Sequence, residues 1–120
     1  MGFENLEVWK RSSRLSADIY RGLKDLRDFG FKDQITRSGL SIPSNIAEGE
    51  ERDSLRQTLI FFNYAKGSCG ELKTQILIGI EIDYIPKDLG KTWITEITSI
   101  TAMLTTLMKQ KRKKLTLDTP

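Results

Sequence analysis

The stretch SIPSNIAEGEER, residues 41–52, has the composition of a helix, yet it places Pro43 after its first turn, Asn45 among apolar residues and Gly49 before a run of charge. A proline inside a helix cannot donate to the carbonyl four residues back, and its ring crowds that group. Here the carbonyl belongs to Gly39, which leaves room for a bend. Arg37, Ser41, Asn45 and Glu48 follow at steps of four, four and three, forming a polar stripe beside the apolar one of Ile42 and Ile46. A helix with these two stripes needs a neighbour that accepts both.

That neighbour is the segment AKGSCGEL, residues 65–72, where Gly67, Ser68, Cys69 and Gly70 are small and Glu71 follows. Small residues let two helix backbones approach closely, so a partly buried network is expected. In it Glu71 or Glu48 accepts from Arg37, and Asn45 satisfies helix-end groups near Gly49. Two carboxylates and an arginine, without histidine, metal-ligand spacing or a phosphate-binding glycine loop, define no reaction, so these residues read as structure rather than an active site.

Working outward, four helical segments are predicted. Leu15, Ile19, Leu23 and Leu26, with Leu6 and Trp9 upstream, give a first helix from about Asn5 to Asp28, with Gly30 as its stop. Asp33 is expected to cap the second, whose apolar face is Ile35, Gly39, Ile42 and Ile46. Ser54 followed by Gln57 matches a capping box for a long third helix to about Asp83, with Phe61, Phe62, Ala65, Cys69, Leu72, Ile76 and Ile80 inward. Pro86 suits the start of the fourth, where Trp93, Ile97, Ile100, Leu104 and Leu107 repeat at steps of four and three. After Lys114 the periodicity stops, so residues 1–114 are expected to form the domain and 115–120 a frayed tail. Short connections make sequential helices antiparallel, and the fold class is all-α, an antiparallel up-down four-helix bundle. Leu77, Ile78 and Ile82 make the end of the third helix apolar nearly all round. Either a second subunit or a neighbouring loop must cover that face, and a homo-oligomer is the expectation.

Composition narrows the function. The 120 residues suit one domain, and no apolar run approaches the roughly 20 residues that span a bilayer. The N-terminus lacks the features of a signal peptide, so a cytoplasmic location is expected. Cys69 is the single cysteine and there is no histidine, which removes disulfides, cysteine-rich zinc sites and imidazole catalysis. No metal, cofactor or enzymatic activity is expected. Of 19 basic residues against 16 acidic, five are Lys109, Lys111, Arg112, Lys113 and Lys114. The rest of the chain is mildly acidic.

The order of EVWKRSSRLSADIY (7–20), QITRSGLSIPSNIAEGEER (34–52) and FFNYAKGSCGELKTQILIG (61–79) resembles the four-helix bundle family named for the 23S rRNA intervening-sequence protein, which includes the accessory protein of diversity-generating retroelements. The similarity extends to about Leu107 and is most diagnostic in SIPSNIAEG and the following GS-x-x-EL pattern. It maps the motif onto Arg37, Ser41, Pro43, Asn45, Ile46, Ala47, Glu48 and Gly49, with Gly67, Ser68, Glu71 and Leu72. The resemblance implies a homopentamer, a bacterial or archaeal source, association with ribosomal RNA insertions for some members, and binding of nucleic acid and a reverse transcriptase for the retroelement members. The body of this chain departs from the strongly basic character of the latter.

Two functions follow. In the first, RNA or DNA is bound through phosphate contacts. Lys10, Arg14, Arg21 and Lys24 lie along one side of the first helix and the basic C-terminal residues add to them, which suffices for sequence-independent binding. Asp18, Asp25 and Asp28 interleave with the stripe, so a solvated face of ordinary ion pairs is its structural alternative. In the second, the oligomer is a scaffold that docks a partner protein without nucleic acid. Neither function involves a membrane.

Overall fold

The computed structural model describes residues 2–118. After a short 3-10 turn at Phe3–Asn5 come four α-helices: α1 (Glu7–Gly22), α2 (Phe29–Glu50), α3 (Leu55–Glu81) and α4 (Lys87–Asp118). The molecule measures 54 × 22 × 19 Å. α1 packs on α2 and α4, α2 on α3, and α3 on α4, so all four helices share one core.

The apolar stripes read from the sequence enter that core, except for Phe61 of α3, expected inward, whose ring instead lies outside the core against Arg52 and Tyr64. Leu15 and Ile19 come from α1, Ile35, Ile42 and Ile46 from α2, Phe62, Ala65, Cys69, Leu72 and Ile76 from α3, and Trp93, Ile97, Ile100 and Leu104 from α4. Met108, rather than Leu107, closes the α4 face, with Leu107 only partly buried.

The boundaries differ in three places. α1 stops at Gly22, six residues before the expected end, because apolar spacing continues into the turn: Leu23 is buried and Leu26 packs on the core from outside any helix. The cap of α2 is Asp28, whose carboxylate accepts from the Phe31 N–H at 3.1 Å. Gly30, expected as a stop, therefore lies in the first turn of α2, and Asp33, expected as the cap, lies inside it. An earlier side chain satisfies the free N–H groups, so the helix starts there. Finally, α4 continues through Leu115–Asp118, where fraying was expected. The end of the periodicity marks the end of core burial rather than of helix, since lysine, arginine and leucine all favour helix. Residues 119 and 120 of that tail lie outside the described residues.

Two side-chain contacts tie the ends together. The Tyr84 hydroxyl donates to Asp28 at 2.8 Å, and the Tyr84 ring meets Phe31 edge-on, joining the α1–α2 turn to the α3–α4 turn. Asp83 sits at φ 63°, and the Tyr84 N–H donates to the Gly79 carbonyl while that of Asp83 donates to Ile80. This Schellman pattern ends α3 and turns the chain sharply into α4.

Candidate nucleic-acid interface

The SIPSNIAEG segment of α2 meets α3, but through different side chains from those expected. Asn45 Nδ2 donates to the carbonyl and the hydroxyl of Ser41, each at 2.9 Å, and the Ser41 hydroxyl is 2.8 Å from that of Ser68. Arg37 instead pairs with Asp33 at 2.9 Å on the surface, and Glu48 pairs with Arg52 at 2.9 Å. Glu71 is exposed. The polar stripe divides because i,i+4 partners of opposite charge are already within reach on one helix, whereas crossing to α3 would cost desolvation. Near Gly49 the helix-end carbonyl accepts from Thr58 Oγ1 at 2.8 Å, so threonine does what was expected of Asn45.

The small residues of α3 divide in the same way. Ser68 and Cys69 are buried, whereas nothing lies within 4 Å of where a side chain would begin at Gly67 or Gly70. Where α2 meets α3, close approach requires Gly49: a Cβ there would meet the Phe62 ring at 2.8 Å and the Thr58 carbonyl oxygen at 3.1 Å. Pro43 is buried within a continuous α2. This geometry ranks two substitutions. Asn45→Ala is expected to cost about 1 kcal/mol through the removal of its hydrogen bonds, and Arg37→Ala no more than about 0.5 kcal/mol. Chemical denaturation at fixed protein concentration measures both, and the reverse order would contradict the assignment.

The basic residues separate into engaged and open groups. On α1, Lys10 and Arg14 are exposed, while Arg21 pairs with Asp18 at 2.9 Å. Lys24 lies beyond the end of α1, so the four do not form one helical stripe. At the end of α4, Lys111 turns inward: its Nζ is 3.3 Å from Glu50 and 5.7 Å from the centre of the Phe62 ring. Lys109, Arg112, Lys113 and Lys114 are exposed. Lys109, Arg112 and Lys113 share one side of the helix, and no ion pair engages them among the described residues. From Lys109 to Lys113 the helix rises about 6 Å, so the three charges lie within little more than one turn of it. Unpaired cations at this spacing can neutralise phosphates without reading bases.

One pairing escaped the sequence reading because nothing in either helix marks its partner. Arg11 of α1 binds Glu96 of α4 through two hydrogen bonds, 2.6 Å from Nη2 and 2.9 Å from Nε, and its Nη1 is 3.4 Å from the Met103 sulfur. The Arg11 guanidinium holds the Glu96 carboxyl below the usual carboxylate range, with Arg14 adding a smaller pull. Because the folded value is the lower one, this stability is present above the unfolded glutamate value of about 4.3. It is lost as pH falls through the folded value. Both groups remain about a third exposed, so solvent screening limits the loss on Glu96→Gln at neutral pH to about 0.5–1 kcal/mol. Unfolding titrations at pH 7 and pH 3 are expected to show wild type and variant converging in acid; a constant gap would contradict it.

Among the described residues, no cluster of three or more His, Cys, Asp or Glu side chains is placed to hold a metal ion. No helix among them is long and apolar enough to cross a membrane. The model of one family, the 23S rRNA-intervening sequence protein, matches residues 4–106. No curated protein matches the chain. Among solved structures, a protein with unknown function from the S23 ribosomal protein family of Bacteroides thetaiotaomicron is similar at 26% identity with a TM-score of 0.80, over 85% of this chain and 98% of that one.

Proposed function

The chain belongs to the 23S rRNA-intervening sequence protein family, and from that premise we propose a non-enzymatic, oligomeric helical-bundle protein of the cytoplasm that binds RNA or DNA through the basic end of α4. In this reading the four helices alternate in direction and the copies close into a homopentamer. The Asp28–Tyr84 contact at one end and the Lys111–Glu50 contact at the other fit that alternation. The observation that carries the binding reading is the exposed set Lys109, Arg112 and Lys113, which lacks the acidic partners found by Arg11, Arg21, Arg37, Arg52 and Lys111. Five copies would present five such ends, and contacts weak singly become strong together.

A labelled structured RNA and a labelled DNA duplex, mixed with the purified chain at low ionic strength, test the reading. Both are expected to be bound with similar affinity, since phosphates rather than bases are contacted. No complex with either at about 100 μM protein, the weak end of the usual non-specific range, would overturn it.

The second reading is a scaffold that docks a partner protein without nucleic acid. Exposed Ile60, Tyr64, Leu77, Ile78 and Ile82, all on α3 or at its end, favour it. A co-purifying protein, with no nucleic acid, is its expected signature.

A further inference from the structure

Two exposed aromatic rings share one opening where α1 gives way to α2. Tyr20 lies in the last turn of α1, and Phe29 is the first residue of α2, set there by the Asp28 cap. The rings are 47% and 70% exposed. With Lys24, Lys32, Asp33 and Thr36 they line a cleft of about 480 Å³, within the range of roughly 300–1,000 Å³ usual for small-ligand sites. Neither ring packs on another ring among the described residues. Lys32 Nζ stands 5.2 Å from the centre of the Phe29 ring and donates to the Lys24 carbonyl at 3.1 Å, so a cation is held at the edge of the aromatic surface. Thr36 spends its hydroxyl proton on carbonyls of its own helix. The cleft therefore offers flat apolar surface beside two ammonium groups.

We propose, resting on the nucleic-acid reading above, that Tyr20 and Phe29 form a stacking site for an unpaired base of a single-stranded nucleic acid, with Lys24 and Lys32 meeting the adjoining phosphate. Every base has a π-face, so aromatic side chains next to cations hold a strand without reading its sequence. The charge around the cleft is nearly balanced. Asp33 is taken up by Arg37, and Asp28 by the Phe31 N–H and the Tyr84 hydroxyl. Asp25 is exposed on the same turn, against an exposed Arg27 that no ion pair engages among the described residues. Charge alone would hold a phosphate weakly here, so the rings supply most of the affinity. Phe29 begins α2 whereas Glu50, the partner of Lys111, ends it, which separates this site from the basic end of α4 by about 30 Å. Bases in a duplex or a paired stem stay stacked on one another, so only an unpaired segment gains from the rings.

The test titrates the full chain into an RNA strand of about ten nucleotides, free of self-complementarity and carrying a fluorescent adenine analogue, and into the same strand paired to its complement. The single strand is expected to bind more tightly and its fluorescence to be quenched as the analogue stacks. Phe29→Ala and Tyr20→Ala are each expected to weaken single-strand binding about tenfold, by a similar factor at low and high salt, and to leave the duplex unchanged. Phe29→Trp keeps a stacking face and is expected to retain binding. Both side chains are exposed, so the thermal unfolding of the variants, followed by circular dichroism, is expected to match wild type. Single-strand binding unaffected by either alanine variant, or an equal loss for strand and duplex, would overturn the stacking site and leave the phosphate-binding end of α4 standing. A fall in solution mass on Phe29→Ala with binding unchanged would assign the rings to a contact between proteins and overturn it too. No binding of either probe by the wild-type chain would overturn the nucleic-acid reading and this inference together.

Discussion

Phe62→Ala is expected to lower the unfolding free energy by about 3–5 kcal/mol, a large part of the 5–15 kcal/mol typical of such a domain. Phe62 is fully buried where three helices converge. Its ring fills the space left by Gly49 of α2, and the Lys111 ammonium of α4 lies over it. Truncation leaves a cavity that a side chain at Gly49 could partly fill. Gly49→Ala alone is therefore expected to cost about 1–3 kcal/mol by overpacking, whereas in the Phe62→Ala background it should cost much less. Denaturant titrations of the two single variants and the double variant, at one protein concentration, measure this coupling. Additive effects would show that the ring does not set the spacing of α2 and α3.

Neutralising the end of α4 with Lys109→Gln, Arg112→Gln and Lys113→Gln together is expected to weaken binding to structured RNA at least tenfold at low salt. The change should leave the fold intact, because all three side chains are exposed and Lys111 keeps its interactions with Glu50 and Phe62. For every phosphate that is no longer neutralised, the slope of log affinity against log salt becomes shallower by about 0.7–0.9. Variant and wild type are therefore expected to converge at high salt. A uniform weakening at all salt concentrations would point to a structural effect, and unchanged binding would move the interface elsewhere on the molecule.

The fold was legible because helix period and core burial coincide: Ile35, Ile42 and Ile46, or Trp93, Ile97, Ile100 and Leu104, can be buried together only on one face of a helix. Helix ends were less legible where apolar spacing ran on through a turn, as at Leu23 and Leu26, or where two acidic residues could both cap, as at Asp28 and Asp33. Caps are decided by which carboxylate reaches a free N–H, a matter of backbone direction that composition does not encode. The motif around Asn45 was recognisable as a meeting of α2 and α3, yet its wiring was not. Arg37 and Glu48 found partners on their own helix, while Ser41 and Ser68, two neutral hydroxyls, made the crossing. Likewise Lys111 and Lys113 look alike in sequence, and only their positions around α4 turn one towards Glu50 and the other to solvent. Glycines carried the opposite ambiguity: Gly49 marks a tight crossing and Gly67 an empty surface, with no local signal to separate them.

The affinity of the full chain for a structured RNA, measured from about 50 to 200 mM salt, tests the phosphate-binding end most directly. Binding that weakens about tenfold or more over that range, and less steeply when Lys109, Arg112 and Lys113 are neutralised, is the expected result. Absence of binding at the lowest salt, or a salt response unchanged by those three substitutions, would contradict it.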